Sequence, residues 1–388
     1  MRILFWMETA WPLVGGREVF TAKLMAALRQ RGHETLVITD RRDASYSELE
    51  RHDGVDIHRL PFYRVLFSCN VDAFVKLDQR VRWIVDRFGA DLIHMHDIGC
   101  SGMYCRRLIA RSDAAGPDGR GRQPALLITM HCCLDEILRD QIERMRKSLP
   151  VLLNSAGWVT GVSMAALESV RRIAPSIEPR SSVLANGLEP PPVAPADLPF
   201  DPPCVLCLGR LDAIKGFDLA IDALGRLGDR FPGLKLLIAG DGTARPALEH
   251  QAAGLGLAGR VEFLGMLDSA AIWDTINRAT LVVMPSRTEG FPLVALEAML
   301  MARPIVASRA GGLPEAVVDG ETGLLVDIKD VEGLAGAIAS LLAGRDRARR
   351  MGTAGRVRAI EKFSWQRNVV EPYESLYRRL IAARTDEC

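Results

Sequence analysis

The stretch Leu281-Val282-Val283-Met284-Pro285-Ser286-Arg287-Thr288-Glu289-Gly290-Phe291-Pro292-Leu293-Val294-Ala295-Leu296-Glu297 carries the reading of the whole chain. The wholly apolar run Leu281 to Met284 fits a parallel strand buried on both faces. A polar loop follows, then Pro292, which suits the first position of a helix because its missing N–H costs nothing there. Strand, loop and helix in that order is the repeating unit of an open α/β sheet, whose ligands bind outside the carboxyl ends of the strands. The unpaired amides of the helix's first turn suit a phosphate. Glu289 stands just before the helix and Glu297 about one and a half turns inside it, so the two carboxylates reach different depths and accept hydroxyl hydrogen bonds from different sugar rings. The plainer alternative is a helix with acidic residues favourably near its N-terminus.

The same alternation runs outward in both directions. Toward the C-terminus the apolar runs predict strands at Cys204 to Leu208, Lys235 to Ala239, Val261 to Leu264, Leu281 to Met284 and Ile305 to Ala307, with helices between them. Toward the N-terminus they predict strands at Ile3 to Met7, Thr35 to Thr39, Asp56 to Leu60, Leu92 to Met95, Ala125 to Thr129, Gly157 to Val162 and Ser181 to Leu184. Helices are expected at Arg17 to Arg31, Asp72 to Phe88 and Ser101 to Arg111, with another opened by Ser163. The segment 190–203 holds seven prolines in fourteen residues and reads as a linker, because proline removes donors and fixes φ. The expected fold is α/β: two doubly wound, Rossmann-like domains, 1–189 and 204–363, facing a central cleft. A helical tail, 364–388, is expected to cross back to the N-terminal domain. Residues 112–123, rich in Gly, Pro and charge, read as a mobile surface loop. Arg345, Arg347, Arg349, Arg350, Arg356 and Arg358 read as a solvated helix face, with an anionic surface as the alternative.

Composition narrows the function. The 388 residues are 48% hydrophobic and 25% charged, and 49 Lys plus Arg against 48 Asp plus Glu leave a formal net charge of +1. That balance argues against nucleic acid as a partner. No uncharged stretch approaches the roughly 18 residues that span a bilayer. The opening Met1-Arg2-Ile3-Leu4-Phe5-Trp6-Met7-Glu8 reads as a first strand rather than a signal peptide, which places the protein in the cytoplasm. Eight cysteines suggest no pairing scheme, and Cys204-x-x-Cys207 sits in a strand-like apolar run with no second Cys or His pair nearby, so reduced and mostly buried thiols are expected.

Two further loops join the first. Gly15-Gly16 between a strand and a helix lets backbone approach a ligand closely. There is no G-x-G-x-x-G at this turn and no Walker A sequence, so a dinucleotide cofactor is unsupported. Gly209-Arg210-Leu211-Asp212-Ala213-Ile214-Lys215-Gly216-Phe217 follows the first strand of the second domain, and Arg210 and Lys215 could converge there on one diphosphate.

Taken together these residues resemble the retaining glycosyltransferases of the GT-B fold, most closely glycosyltransferase family 4, over nearly the whole chain. The resemblance rests on Gly15-Gly16, Arg31-Gly32-His33-Glu34, Ser163, Asn186-Gly187, Gly209-Arg210 with Lys215-Gly216, Gly240-Asp241-Gly242, Val261-Glu262-Phe263-Leu264-Gly265, the Glu-x7-Glu pair, Gly311-Gly312-Leu313-Pro314-Glu315 and Asp319-Gly320-Glu321-Thr322-Gly323. It implies that Arg210 and Lys215 neutralise the donor diphosphate, that the amides around Gly290, Phe291, Leu293 and Val294 hold it, and that Glu297 takes the ribose hydroxyls. Glu289 would hold hydroxyls of the transferred sugar, backbone from Leu264 to Met266 would line the base, and His131 matches the family's active-site histidine. His94 and His96, sharing one strand face, rank behind it. The implied activity is hexosyl transfer from a nucleotide-diphosphate sugar, UDP before GDP, to a glycan, lipid-linked or small-molecule acceptor. The chain has no Asp-x-Asp, so no cofactor or metal is expected.

Ala302 stands where the family usually has Gly, which changes a helix cap, and segments 62–75 and 112–123 are idiosyncratic in the domain that chooses acceptors. The alternatives are a nucleotide-sugar epimerase or phosphorylase on the same fold, or a non-catalytic nucleotide-sugar sensor. Arg80, Arg82, Arg87 and Trp83 on one amphipathic stretch, and Arg144, Arg146 and Lys147 on another, read as solvated faces. Peripheral contact with anionic headgroups at the inner membrane face is the alternative.

Overall fold

The computed structural model describes residues 1–13, 15–110, 123–134, 148–231 and 233–386. All but Gln123 of the predicted loop 112–123, and Arg144, Arg146 and Lys147, lie outside the described residues. The chain divides into two compact units, Met1–Leu184 with Val369–Cys388, and Ala185–Asn368.

The first unit is built on an eight-stranded sheet: β1 (Arg2–Met7), β2 (Glu34–Asp40), β3 (Leu49–His52), β4 (Val55–Leu60), β5 (Leu92–His96), β6 (Ala125–Met130), β7 (Trp158–Gly161) and β8 (Ser181–Val183), in the order β3-β4-β2-β1-β5-β6-β7-β8. Every pairing is parallel except β3 with β4. All residues of β5 and β6 are buried, as strands covered on both faces require. β3 was absent from the sequence reading because Leu49-Glu50-Arg51-His52 is half-exposed and polar, an edge strand with no apolar run. Helix boundaries follow local chemistry. Asn70 Oδ1 accepts the Ala73 amide at 2.9 Å to open the helix Val71–Phe88, and Gly89 at φ 64° ends it. Ser163 caps the helix Met164–Arg171 in the same way.

The C-terminal helix Glu371–Asp386 belongs to this first unit. Its Tyr377 hydroxyl lies 2.7 Å from His94 Nδ1, and His94 Nε2 lies 2.7 Å from Thr129 Oγ1, which also meets Thr160 Oγ1 at 2.6 Å and the Tyr373 hydroxyl at 3.3 Å. His94 is completely buried under this helix, so it serves the scaffold and is not a ligand-facing group. Glu374 takes Arg31 at 2.6 Å, Arg378 at 2.8 Å and His33 at 2.9 Å. The bond from Arg378, with those from His33 and Arg31, holds its carboxyl down to about 2.

The second unit carries a six-stranded, wholly parallel sheet: β9 (Cys204–Leu208), β10 (Lys235–Ala239), β11 (Val261–Gly265), β12 (Leu281–Met284), β13 (Ile305–Ser308) and β14 (Gly323–Val326), ordered β11-β10-β9-β12-β13-β14. β14 is a strand that the sequence reading lacked, because its four residues follow directly on the Asp319-Gly320-Glu321-Thr322 turn. The proline-rich segment packs onto this unit: Leu198 and Phe200 enter its core. The fully buried Arg303 donates to the carbonyls of Ala279 at 2.9 Å and Ala196, so a lone internal guanidinium is matched by backbone oxygens. Ala302 beside it has φ 53°, the left-handed region that a Cβ disfavours.

Cys204 and Cys207 lie on β9, and burial pushes the Cys204 thiol up to about 11 and Cys207 higher still; of the seven described cysteines, all free, only Cys105 and Cys207 are buried, so the thiols are less buried than expected. The arginines of helix Arg345–Lys362 are less uniform than a solvated face. Arg358 donates to the carbonyls of Ala316 and Glu315 at 3.0 and 2.8 Å, Arg356 to that of Leu300, and Arg345 to Asp201. Among the described residues no helix is long and apolar enough to cross a membrane.

Candidate functional site

In the second unit, two loops at the carboxyl ends of β9 and β12 lock together. Arg287 N–H donates to the Ile214 carbonyl at 2.8 Å, and its guanidinium forks onto Asp218 at 2.8 and 2.6 Å. Gly216, at φ 68°, passes so close to the Pro285 carbonyl that a Cβ there would collide with it. This contact explains why Lys215 is followed by glycine. Lys215 Nζ then reaches Glu289 Oε1 at 2.6 Å, and Ser286 Oγ donates to the same oxygen at 2.8 Å. Glu289 is 8% exposed and Ser286 2%. Behind them, the Gly312 amide donates to the Glu289 carbonyl at 3.2 Å, and Gly311, at φ 49°, leaves no room for a Cβ beside that carbonyl.

Helix Leu293–Leu300 begins one residue later than the sequence suggests. Pro292 keeps extended backbone, φ −75° and ψ 128°, and stands as the N-cap. Proline's fixed φ suits both positions, so ψ decides between them. Among the described residues no side chain caps this N-terminus, which leaves the first-turn amides of Leu293 and Val294 to a ligand or water. Asn186, 5% exposed, donates to the Phe291 carbonyl at 2.7 Å and fixes the peptide just before them, while Phe291 itself is buried against Phe363. Glu297 lies on the second turn, half-buried. Leu264, the last residue of β11 but one, is half-buried, and Met266 just beyond the strand is 63% exposed. Arg210 does not join the Lys215–Glu289 pair: it meets Asp212 at 3.2 Å with 61% of its side chain exposed. Ser286 and Asn186 were given no role by sequence reasoning, because their partners depend on loop geometry.

The remaining predicted residues, Gly15, Gly16 and His131, lie in the first unit. Gly15 is the uncapped N-cap of helix Gly16–Gln30, and a Cβ on Gly16 would meet no described atom within 4 Å. The next residue, Arg17, is the hub of an ion-pair network: it meets Glu18 at 2.7 Å and Asp97 at 2.9 Å. Burial opposes ionisation of Glu18, yet the Arg17 guanidinium holds its carboxyl below the ordinary value. Asp97, at φ 62°, turns its other oxygen to the His131 amide at 2.6 Å. Residues 80 apart in sequence are joined here, and no sequence spacing signals it. His131 Nε2 lies 2.8 Å from Nδ1 of the fully buried His96. Burial pushes His131 down to about 4 despite Asp97, and His96 well below its ordinary value, so both imidazoles are neutral at pH 7.

On helix Val71–Phe88, Arg82 is committed to Asp78 at 3.0 Å and leaves the predicted basic face, whereas Arg80 and Arg87 flank the ring of Trp83, which is 53% exposed.

Residues 14–190 match the model of Glycosyltransferase Family 4, and residues 194–358 that of Glycosyl transferases group 1. A glycogen synthase of Mycobacterium tuberculosis is 40% identical over 187 residues, 48% of this chain and 45% of that protein. A GDP-mannose-dependent alpha-(1-6)-phosphatidylinositol monomannoside mannosyltransferase of Mycolicibacterium smegmatis is 39% identical over 173 residues, 43% of this chain and 45% of that one. The chain thus spans about half the length of these curated relatives. The sucrose-phosphate synthase structure from Thermosynechococcus elongatus superposes with a TM-score of 0.84 at 24% identity, covering 99% of this chain and 100% of that one, which fixes the fold. The chain has the GT-B fold, its first part matching the family 4 model and its second part the group 1 model.

Proposed function

We propose that the protein transfers a hexosyl group from a nucleotide-diphosphate sugar to an acceptor hydroxyl, with retention of the anomeric configuration and without a metal ion. The observation that carries this reading is the Lys215–Glu289 pair, 2.6 Å apart, in the same loop system as the uncapped helix N-terminus. A cation and first-turn amides suit the two phosphates of a leaving nucleoside diphosphate. The adjoining carboxylate suits hydroxyls of the sugar about to leave it.

In this reading Lys215 and the amides of Leu293 and Val294 take up the charge that develops as the bond from anomeric carbon to diphosphate oxygen breaks. Arg210, exposed and paired with Asp212, adds to them when the donor is bound. Glu289 orients the transferred sugar, Glu297 accepts the ribose hydroxyls, and the backbone from Leu264 to Met266 lines the base. The acceptor oxygen enters on the face the diphosphate leaves, and its proton passes to the departing phosphate oxygen, so no carboxylate base is needed. His131, a neutral imidazole, contributes a hydrogen bond and no charge. Gly15 and Gly16 leave the backbone at their turn open to close approach by a ligand. UDP-sugars are the first donors to test and GDP-sugars the second.

The experiment is incubation with labelled donor and mono- and disaccharide, lipid-linked and sugar-phosphate acceptors, with NMR analysis of the product anomer. An α-linked product from an α-linked donor, formed equally in EDTA, supports the reading. Release of epimerised donor, or sugar 1-phosphate formed only with free phosphate, replaces it by epimerase or phosphorylase activity. Sedimentation with anionic liposomes, compared between the wild type and a Trp83→Ala, Arg80→Glu variant, tests whether that helix face meets membrane.

A further inference from the structure

His131 is held on three sides. Its amide is tied to Asp97 at 2.6 Å, its ring meets the edge of Phe20 with centroids 5.3 Å apart, and its Nε2 lies 2.8 Å from His96 Nδ1. His96 is fully buried, stacked on Phe5 at 5.5 Å and against His94 at 3.9 Å, and its own Nε2 has no hydrogen-bond partner among the described residues. A neutral imidazole carries one N–H and one lone pair, so the nitrogens facing each other across 2.8 Å must be one donor and one acceptor. Two arrangements satisfy this. In the first, His96 carries its proton on Nε2, which strands an N–H in an apolar pocket. In the second it carries the proton on Nδ1 and strands only a lone pair. Orphaned buried donors are the rarer and costlier defect, so the second arrangement is favoured.

We propose that His96 is a positioning residue for His131: by donating from Nδ1 it fixes His131 in the tautomer whose Nδ1–H is the ring's one available donor. Among the described residues no group bonds to that Nδ1. His131 then offers a hydrogen to an oxygen of the ligand and has no lone pair with which to act as a base. This inference rests on the transferase reading for its catalytic consequence, while the tautomer itself is a property of the free protein.

The test is two-bond 1H–15N correlation spectroscopy of the histidine rings at neutral pH in the wild type, His96→Leu and His96→Asn, with melting temperatures to confirm folding. Asparagine can donate an N–H from nearly the position of His96 Nδ1, and leucine cannot. We expect His131 in the Nδ1–H form in the wild type and in His96→Asn, and a shift toward Nε2–H in His96→Leu. kcat/KM for transfer should fall about tenfold in His96→Leu and recover in His96→Asn. An Nε2–H form in the wild type, or one tautomer common to all three proteins, overturns the proposal. A wild type without transferase activity would sink the functional reading and leave the tautomer result standing.

Discussion

The loops that follow the strands of the two units handle charge in opposite ways. In the second unit an ammonium and a carboxylate, Lys215 and Glu289, form the centre of the site. In the first unit the ionised groups Arg17, Glu18 and Asp97 are committed to one another, and the group they frame, His131, is neutral. Charge in the first unit works as scaffold, because paired ions in a partly buried setting fix geometry and contribute little net field. Lys215 and Glu289 are paired as well, but beside the uncapped N-terminus of helix Leu293–Leu300, and in the proposed reading that charge acts on a ligand. The histidines divide in the same sense: six of the seven, all but His250, lie in the first unit.

The contrast breaks most plainly at the ionised pair. Glu289→Gln and Lys215→Ala should each lower transfer about 100-fold or more while the melting temperature stays within a few degrees of the wild type, as a loss of transition-state stabilisation requires. Equal transfer by these variants would remove the second unit's claim to the chemistry.

Next in size, Gly311→Ala should destabilise the second unit by about 3 kcal/mol, through a positive φ and a collision with the Glu289 carbonyl, read as a lower urea midpoint. An unchanged midpoint would mean that the loop behind Glu289 is not built as described.

Acid should separate the two units. His58, His94, His96 and His131, all in the first unit, have folded-state values below the ordinary 6.5, with burial the leading cause in each. The unfolded chain therefore binds protons first. Stability is fully present above 6.5 and is lost progressively as pH falls from there toward about 4, where His131 itself titrates. Hydrogen exchange across that range should show β5 and β6 losing protection before β9 and β12, and the reverse order would contradict this account.

A smaller effect sharpens the picture without touching the site. Ala302→Gly should stabilise the protein by about 1 kcal/mol, because glycine accepts φ 53° without strain, and calorimetry would register the rise.

The buried strands were legible because parallel strands covered on both faces announce themselves as apolar runs. β3 and β14 were not, one being polar and at an edge, the other four residues long behind a turn. Of the site, the residue types on the β9 and β12 loops were readable, since glycines, Pro292 and paired glutamates have local physical reasons. Neither the Lys215–Glu289 contact nor the support from Ser286 was, because each needs two loops 74 residues apart, or a particular rotamer within one loop, to be placed first. Asp97 escaped for the same reason. Its importance lies in joining Arg17 to the His131 amide, a relation of position that composition and spacing do not encode.

The most direct test of the central claim, that Lys215 and Glu289 form the donor site, is a thermal-shift titration with UDP- and GDP-sugars of the wild type and Lys215→Ala. A ligand that binds only the folded state raises the melting temperature by mass action. At least one nucleotide sugar should raise that of the wild type in a saturable way, with the rise abolished in Lys215→Ala. No rise with any of them, or an equal rise in the variant, would contradict the claim.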